Sequence, residues 1–152
     1  MVLEWNNGEG IIFKKRIELD NKYLFKITQQ VQNNTKQGID LYPYAQITRN
    51  KIPDDIQNFY ISHEGFIGVF DEELKEDDYD DIEENKIVRE ANEGWLGITD
   101  KYWMTALVPK KGENFKSTFL YKDSFKANYI LNNPTTINSS SNSSNEVRLF
   151  VA

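Results

Sequence analysis

Three groups of residues in this chain have types and spacing that could do chemistry. His63 is the only histidine, and Glu64 follows it. An imidazole beside a carboxylate can serve as general acid and base, or as a metal ligand. Adjacent residues on a strand point to opposite faces, however. A single imidazole without a second imidazole or a thiol is a poor metal site, so the pair reads as structural. The second group is the acidic run Asp71–Glu84, which between Glu72 and Glu84 holds nine carboxylates and one lysine. A helix–loop–helix calcium site needs alternating carboxylates, a glycine at the sixth position and a glutamate at the twelfth. Asp78-Tyr79-Asp80-Asp81-Ile82-Glu83 lacks that glycine. Such a run is expected to be a solvated loop or short helix, with a divalent cation or a basic partner as lesser readings. The third group is aromatic. Tyr42, Tyr44, Trp95, Tyr102 and Trp103 are the candidate binding residues, able to stack on sugar rings or to hold an extended apolar segment. Aromatic rings also dominate core energetics, and a place in the core is the favoured expectation for these five.

Bulk properties narrow the function classes. A net charge of −6 gives no electrostatic case for nucleic acid or an anionic membrane surface. No cysteine is present, which excludes disulfides, thiol catalysis and cysteine-based zinc sites. No phosphate loop, dinucleotide fingerprint, G-x-S-x-G or zincin motif occurs, and no cofactor is implied. Asn33-Asn34-Thr35, Asn138-Ser139-Ser140 and Asn142-Ser143-Ser144 match the glycosylation pattern, as chance predicts in a chain so rich in Asn and Ser. No stretch approaches the run of about 18 apolar residues that spans a bilayer. The chain begins at Met1-Val2-Leu3-Glu4-Trp5 in strand-like sequence without a signal-peptide pattern. That start suggests a piece of a larger protein. At 152 residues the length fits one domain with a substantial core.

The elements that must position these groups read as strands. Gly94–Pro109, GWLGITDKYWMTALVP, is the richest stretch. Trp95–Ile98 and Tyr102–Val108 read as two strands around the turn Thr99-Asp100-Lys101, with Pro109 closing the second. This hairpin is expected to be central. Leu3–Trp5, Ile11–Leu19, Tyr23–Asn33, Ile39–Arg49, Phe59–Ser62, Glu64–Phe70, Ile87–Ala91, Phe115–Lys122, Phe125–Leu131 and Glu146–Val151 supply further strands, with one helical turn at Asp54–Gln57. In Tyr23–Asn33 the residues Tyr23, Phe25, Ile27 and Val31 share one face, the period of a half-buried antiparallel strand. Asn138–Asn145 contains only Ser and Asn and reads as a flexible loop. Ten or more short strands at this spacing, without helical periodicity, predict an all-β antiparallel sandwich.

Several stretches together resemble one family. GWLGITDKYWMTALVP is similar to the Gly-Trp-[Leu/Ile]-Gly-Ile-Thr-Asp-Lys-Tyr-Trp-x-x-Ala-Leu-[Ile/Val]-Pro stretch in the periplasmic domain of YidC, the Oxa-type membrane protein insertase of Gram-negative bacteria. Leu3-Glu4-Trp5-Asn6-Asn7-Gly8 with Phe13-Lys14-Lys15 resembles that family's W-x-N-G-x-G-x-x-F segment. Leu41-Tyr42-Pro43-Tyr44, His63-Glu64-Gly65-Phe66-Ile67-Gly68-Val69 and Arg148-Leu149-Phe150-Val151 resemble later stretches, in the same order. Glu93 stands where the family often has the first of two glycines.

The resemblance implies a twisted super-sandwich like that of sugar-processing mutarotases. It implies that residues 1–152 are one domain, lacking the full domain's first strands and the helices that link it to the membrane. The implied parent inserts and helps fold inner-membrane proteins, alone or with the Sec translocon. This piece would be a binding or scaffolding element at the periplasmic face of the inner membrane, not an enzyme. Its partners would be nascent membrane proteins and Sec components. The alternative is a carbohydrate-binding or mutarotase-like enzyme on the same fold. Missing strands would leave open sheet edges through which the piece self-associates.

Overall fold

A computed structural model describes residues 1–54, 56 and 62–152. The expected strand Phe59–Ser62 and helical turn Asp54–Gln57 lie largely outside the described residues. The remaining chain forms β1 (Val2–Asn6), β2 (Ile11–Leu19), β3 (Leu24–Asn33), β4 (Ile39–Leu41), β5 (Tyr44–Arg49), β6 (Gly65–Phe70), β7 (Glu73–Asp78), α1 (Tyr79–Glu84), β8 (Ile87–Ala91), β9 (Gly94–Thr99), β10 (Met104–Pro109), β11 (Phe115–Tyr121), β12 (Phe125–Leu131), β13 (Thr135–Ile137) and β14 (Ser141–Val151). One sheet has eight strands in the order β1-β2-β3-β14-β10-β9-β6-β7; a second has four, β5-β12-β11-β8; β13 and β4 form a small third. The pairings are antiparallel. The expected all-β sandwich is the fold, and the β9–β10 hairpin does lie inside the large sheet.

Alternation along β11 and β12 explains the core. Phe115, Ser117 and Phe119 point inward from one strand, and Phe125, Ala127, Tyr129 and Leu131 from the next. They meet Phe66 and Phe70 of β6, Leu96 and Ile98 of β9, Leu107 of β10 and Val147 of β14. The rings pack tilted or edge-on: Phe66 lies 4.9 Å from Phe119, and Tyr79 lies 4.9 Å from Phe125. Such pairs favour offset and edge geometries because of the ring quadrupole. β9 approaches its neighbours closely. A Cβ on Gly97 would stand 2.1 Å from the Thr105 carbonyl oxygen. One on Gly94, whose φ is +140°, would stand 1.9 Å from that of Val69. Only glycine fits at either position.

Two ion pairs clamp the sheets where the rings end. Arg89 of β8 donates two hydrogen bonds to Asp77 of β7, 2.7 and 2.9 Å long, and its guanidinium lies over Phe70 and Phe119. Arg49 of β5 pairs with Asp100 beyond β9, and the Tyr79 hydroxyl donates to the same carboxylate at 2.9 Å.

The structure corrects four expectations. Ile39–Arg49 is two strands, because Pro43 has no N–H for a ladder; β4 turns to β13 while β5 pairs with β12. The first half of the acidic run, Glu73–Asp78, is a strand paired with β6 rather than a loop or helix, while its second half is the short helix α1, which buries Tyr79 and Ile82. The Ser/Asn tract is not a loop throughout. From Ser141 onward it pairs with β3, Ser141 opposite Asn33 and Asn145 opposite Gln29. A backbone ladder needs no apolar side chains, so composition misleads there. Tyr102 and Trp103 sit in the turn rather than in β10.

Burial, and then the bond to Asp100, push the Tyr79 phenol well above its ordinary value of 10.0; burial does the same at Tyr129. The unfolded chain ionises these phenols first, so their stabilising contribution is complete below about pH 10 and is lost as pH rises further. Thermal melts from pH 8 to pH 11 are expected to fall steeply above pH 10. Tyr79→Phe should soften that fall, while costing about 1 kcal/mol at neutral pH through the lost hydrogen bond.

Candidate binding site

The second sheet is half as wide as the first, and it leaves β1, β2 and β3 uncovered. The face they expose carries Leu3 and Trp5 of β1, Phe13 of β2 and Val31 of β3, with Lys15 and Gln29 at the next positions along it. With the β4–β5 segment Leu41–Tyr44 and Ile137 of β13 they enclose a cleft of about 530 Å³. Trp5 stacks on Phe13 with ring centroids 5.3 Å apart, yet remains 62% exposed. Tyr42 and Tyr44 stand half open at the mouth. The Tyr44 hydroxyl donates to Gln46 at 2.6 Å, the Gln29 amide donates to the Tyr44 carbonyl at 3.3 Å, and burial pushes the Tyr44 phenol upward.

The far wall is fixed by a buried amide. Asn33, with no exposed surface, donates from Nδ2 to the carbonyls of Gln37 and Ile137 and accepts at Oδ1 from the Thr35 amide and hydroxyl. Every polar atom of that side chain is used, and it anchors β13 to the end of β3. The charges at the cleft are Glu4, Lys14 and Lys15, and Glu4 and Lys14 pair at 3.2 Å.

The five aromatic residues do not form one site. Tyr42 and Tyr44 flank the cleft. Trp95 lies on the opposite face of the large sheet, half-buried beside Val69 and Val108 in a shallower depression of about 290 Å³. Tyr102 and Trp103 project from the β9–β10 turn, 73% and 67% exposed. The core reading therefore fails for Tyr42, Tyr44, Tyr102 and Trp103, and Trp95 is only partly covered. A ring in a turn has no facing sheet to bury it. Sequence reasoning missed Leu3, Trp5, Phe13 and Val31 as a shared surface, because only the strand register brings them together, Trp5 opposite Phe13 and Phe13 opposite Val31. The chain alone does not show that no second layer covers them.

The titratable pair is far from the cleft. His63 Nε2 lies 2.8 Å from the Phe66 carbonyl, its Nδ1 lies 3.5 Å from Asp78, and Glu64 Oε2 is buried without a hydrogen-bond partner among the described residues. His63 thus holds the start of β6, as the structural reading expects. Among the described residues no three His, Asp or Glu groups converge on a point that could hold a metal ion, and no helix is long and apolar enough to cross a membrane.

The chain matches the family model described as the YidC periplasmic domain over residues 1–152. It is 42% identical to a membrane protein insertase YidC of Pelagibacter ubique over 150 residues, 99% of this chain and 27% of that one. It is 39% identical to the protein so named in Cereibacter sphaeroides over 131 residues, 80% and 21% of the two chains. The chain thus spans about a quarter of the length of the curated relatives it matches. Among solved structures it is similar to a galactose mutarotase related enzyme from Lactobacillus acidophilus, with TM-score 0.67 and 9% identity over 99% of this chain and 66% of that one. A Synechocystis protein aligns with TM-score 0.54 and 11% identity, over 99% and 60% of the two chains. At such identities the likeness is one of fold.

If the β1–β3 face is a binding surface rather than core, its aromatics hold little of the stability. Trp5→Ala is expected to cost less than about 1 kcal/mol in denaturant unfolding. Phe66→Ala, in the closed half of the sandwich, should cost about 3–5 kcal/mol.

Proposed function

The chain belongs to the YidC periplasmic domain family, and from that premise we propose that it is the periplasmic binding and scaffolding element of a membrane protein insertase. The observation that carries the reading is the cleft under β1–β3: largely apolar, running across β1, β2, β3 and β14, with the amides of Gln29, Gln30 and Asn145 and the charges of Glu4, Lys14 and Lys15 at its border. An extended apolar segment of a client protein fits such a surface, with its side chains against Leu3, Trp5, Val31 and Pro43 and its backbone within reach of Gln29, Gln30 and Asn145. Nascent membrane proteins are rich in such segments, and Sec components that handle them are the neighbouring partners. The site lies at the periplasmic face of the inner membrane and does no bond-breaking chemistry.

The same reading expects the full domain to have further first strands and helices that link it to the membrane. Without those strands the outer edge of β1 offers unpaired N–H and C=O groups beside exposed Val2 and Leu3, a template for pairing with a second copy. Sedimentation of the 152-residue chain is expected to show dimers growing with concentration. A monomer at millimolar concentration would contradict the open edge.

Calorimetric titration separates polypeptide from sugar. An extended apolar peptide should give heat that the pair Trp5→Ala and Val31→Asp abolishes, and galactose should give none. Galactose heat lost in those same variants would overturn the reading in favour of a carbohydrate site.

A further inference from the structure

Tyr102 and Trp103 belong neither to the core nor to the cleft, and they are not alone. At the β2–β3 turn Leu19 is 54% exposed and Tyr23 is 72% exposed. The register places both turns at one end of the large sheet. On β14, Phe150 lies opposite Leu24 and Val151 lies opposite Thr105. β3 and β10 are the two neighbours of β14, so their turns stand about 10 Å apart across the sheet. Both ends of the chain are here as well. Ala152 exchanges two backbone hydrogen bonds with Met104, the residue after Trp103. Met1 exchanges two with Ile17, two residues before Leu19.

We infer that this end of the sheet, led by Tyr102 and Trp103 with Leu19 and Tyr23 beside them, rests in the headgroup region of the lipid bilayer. The chemistry fits that occupant. Trp and Tyr favour the membrane–water interface, where an apolar ring and a polar edge are both accommodated. The Lys101 ammonium lies 5.2 Å from the centre of the Tyr102 ring, and Lys22 sits in the other turn, so neither aromatic turn carries a net repulsion of its own toward lipid phosphate. Position fits too. The relatives are membrane protein insertases about four times longer than this chain, and Met1 and Ala152 both lie beside these rings.

The charges facing this end keep the contact shallow. Asp100 is taken up by Arg49 and Tyr79, and the Asp20 carboxylate is held by the Leu24 and Lys22 amides of its own turn. α1, with Asp80, Asp81, Glu83 and Glu84, begins on the same row, where Thr99, Gly65 and Asp78 pair across three strands. Those carboxylates repel an anionic surface. The attraction is therefore that of ring burial rather than charge, and it is insensitive to salt.

The test holds the chain at a bilayer as a longer protein would. A C-terminal hexahistidine tag tethers it to phosphatidylcholine and phosphatidylethanolamine vesicles doped with nickel-chelating lipid, and imidazole displaces it. The wild type should need several-fold more imidazole than Tyr102→Ser/Trp103→Ser, at low and high salt alike. Leu19→Ser/Tyr23→Ser should fall between them. All of these positions are exposed, so unchanged melting temperatures confirm that each variant folds. Equal displacement of all three proteins would overturn the inference. So would a difference that vanishes in salt, or one that tracks loss of self-association in sedimentation, since the rings would then contact protein rather than lipid.

Discussion

Eight strands cannot be covered by four. At about 4.8 Å per strand the large sheet is about 38 Å wide and the second sheet about 19 Å. The sandwich can close only over part of the larger face. It closes over β14, β10, β9 and β6, where Phe66, Phe70, Leu96 and Val147 meet Phe115, Phe119, Phe125 and Tyr129. The Arg89–Asp77 and Arg49–Asp100 pairs pin that closed half in place. Everything distinctive about the molecule follows from the open remainder. β13 and β4 run beneath it as a small flap, held to β3 through Asn33. The gap between flap and sheet is the cleft.

Much of this was legible in the sequence, for a physical reason. β11 and β12 alternate Phe and Tyr with Lys, Thr and Asn, and a two-residue period with one apolar face leaves only one register that buries it. Turn residues mark their ends, and the expected boundaries of Ile11–Leu19, Ile87–Ala91 and Phe125–Leu131 are those observed. Reading failed where a backbone ladder, not side-chain chemistry, makes the strand. Asn142 to Asn145 look like linker, and Glu73 to Asp78 look like solvated charge. Both lie in the large sheet because a neighbour's N–H and C=O groups hold them there. The five aromatic residues failed for a related reason. Whether a ring on a strand is core or surface depends on a second layer, which no local pattern encodes.

The two exposed regions suit different work. The cleft is half open, lined largely by apolar side chains, and its flap is anchored by a fully satisfied asparagine. The aromatic end is open, carried on turns, and sits where both chain ends emerge. A domain held at a bilayer by one end, with its cleft along an adjoining face of the sheet, would meet apolar segments near the place where they enter the membrane. The lone histidine lies outside both surfaces and holds the start of β6.

The central claim is that the β1–β3 overhang, not the outer face around Trp95, receives an extended apolar chain. Methyl NMR resolves the two directly, because Leu3, Val31, Leu41 and Ile137 line the cleft while Val69 and Val108 line the other depression. On titration with an extended apolar peptide, the signals of the first group should shift together and saturate together, with the second group still. Shifts confined to Val69 and Val108, or no shift in Leu3 and Val31 at saturation, would contradict it.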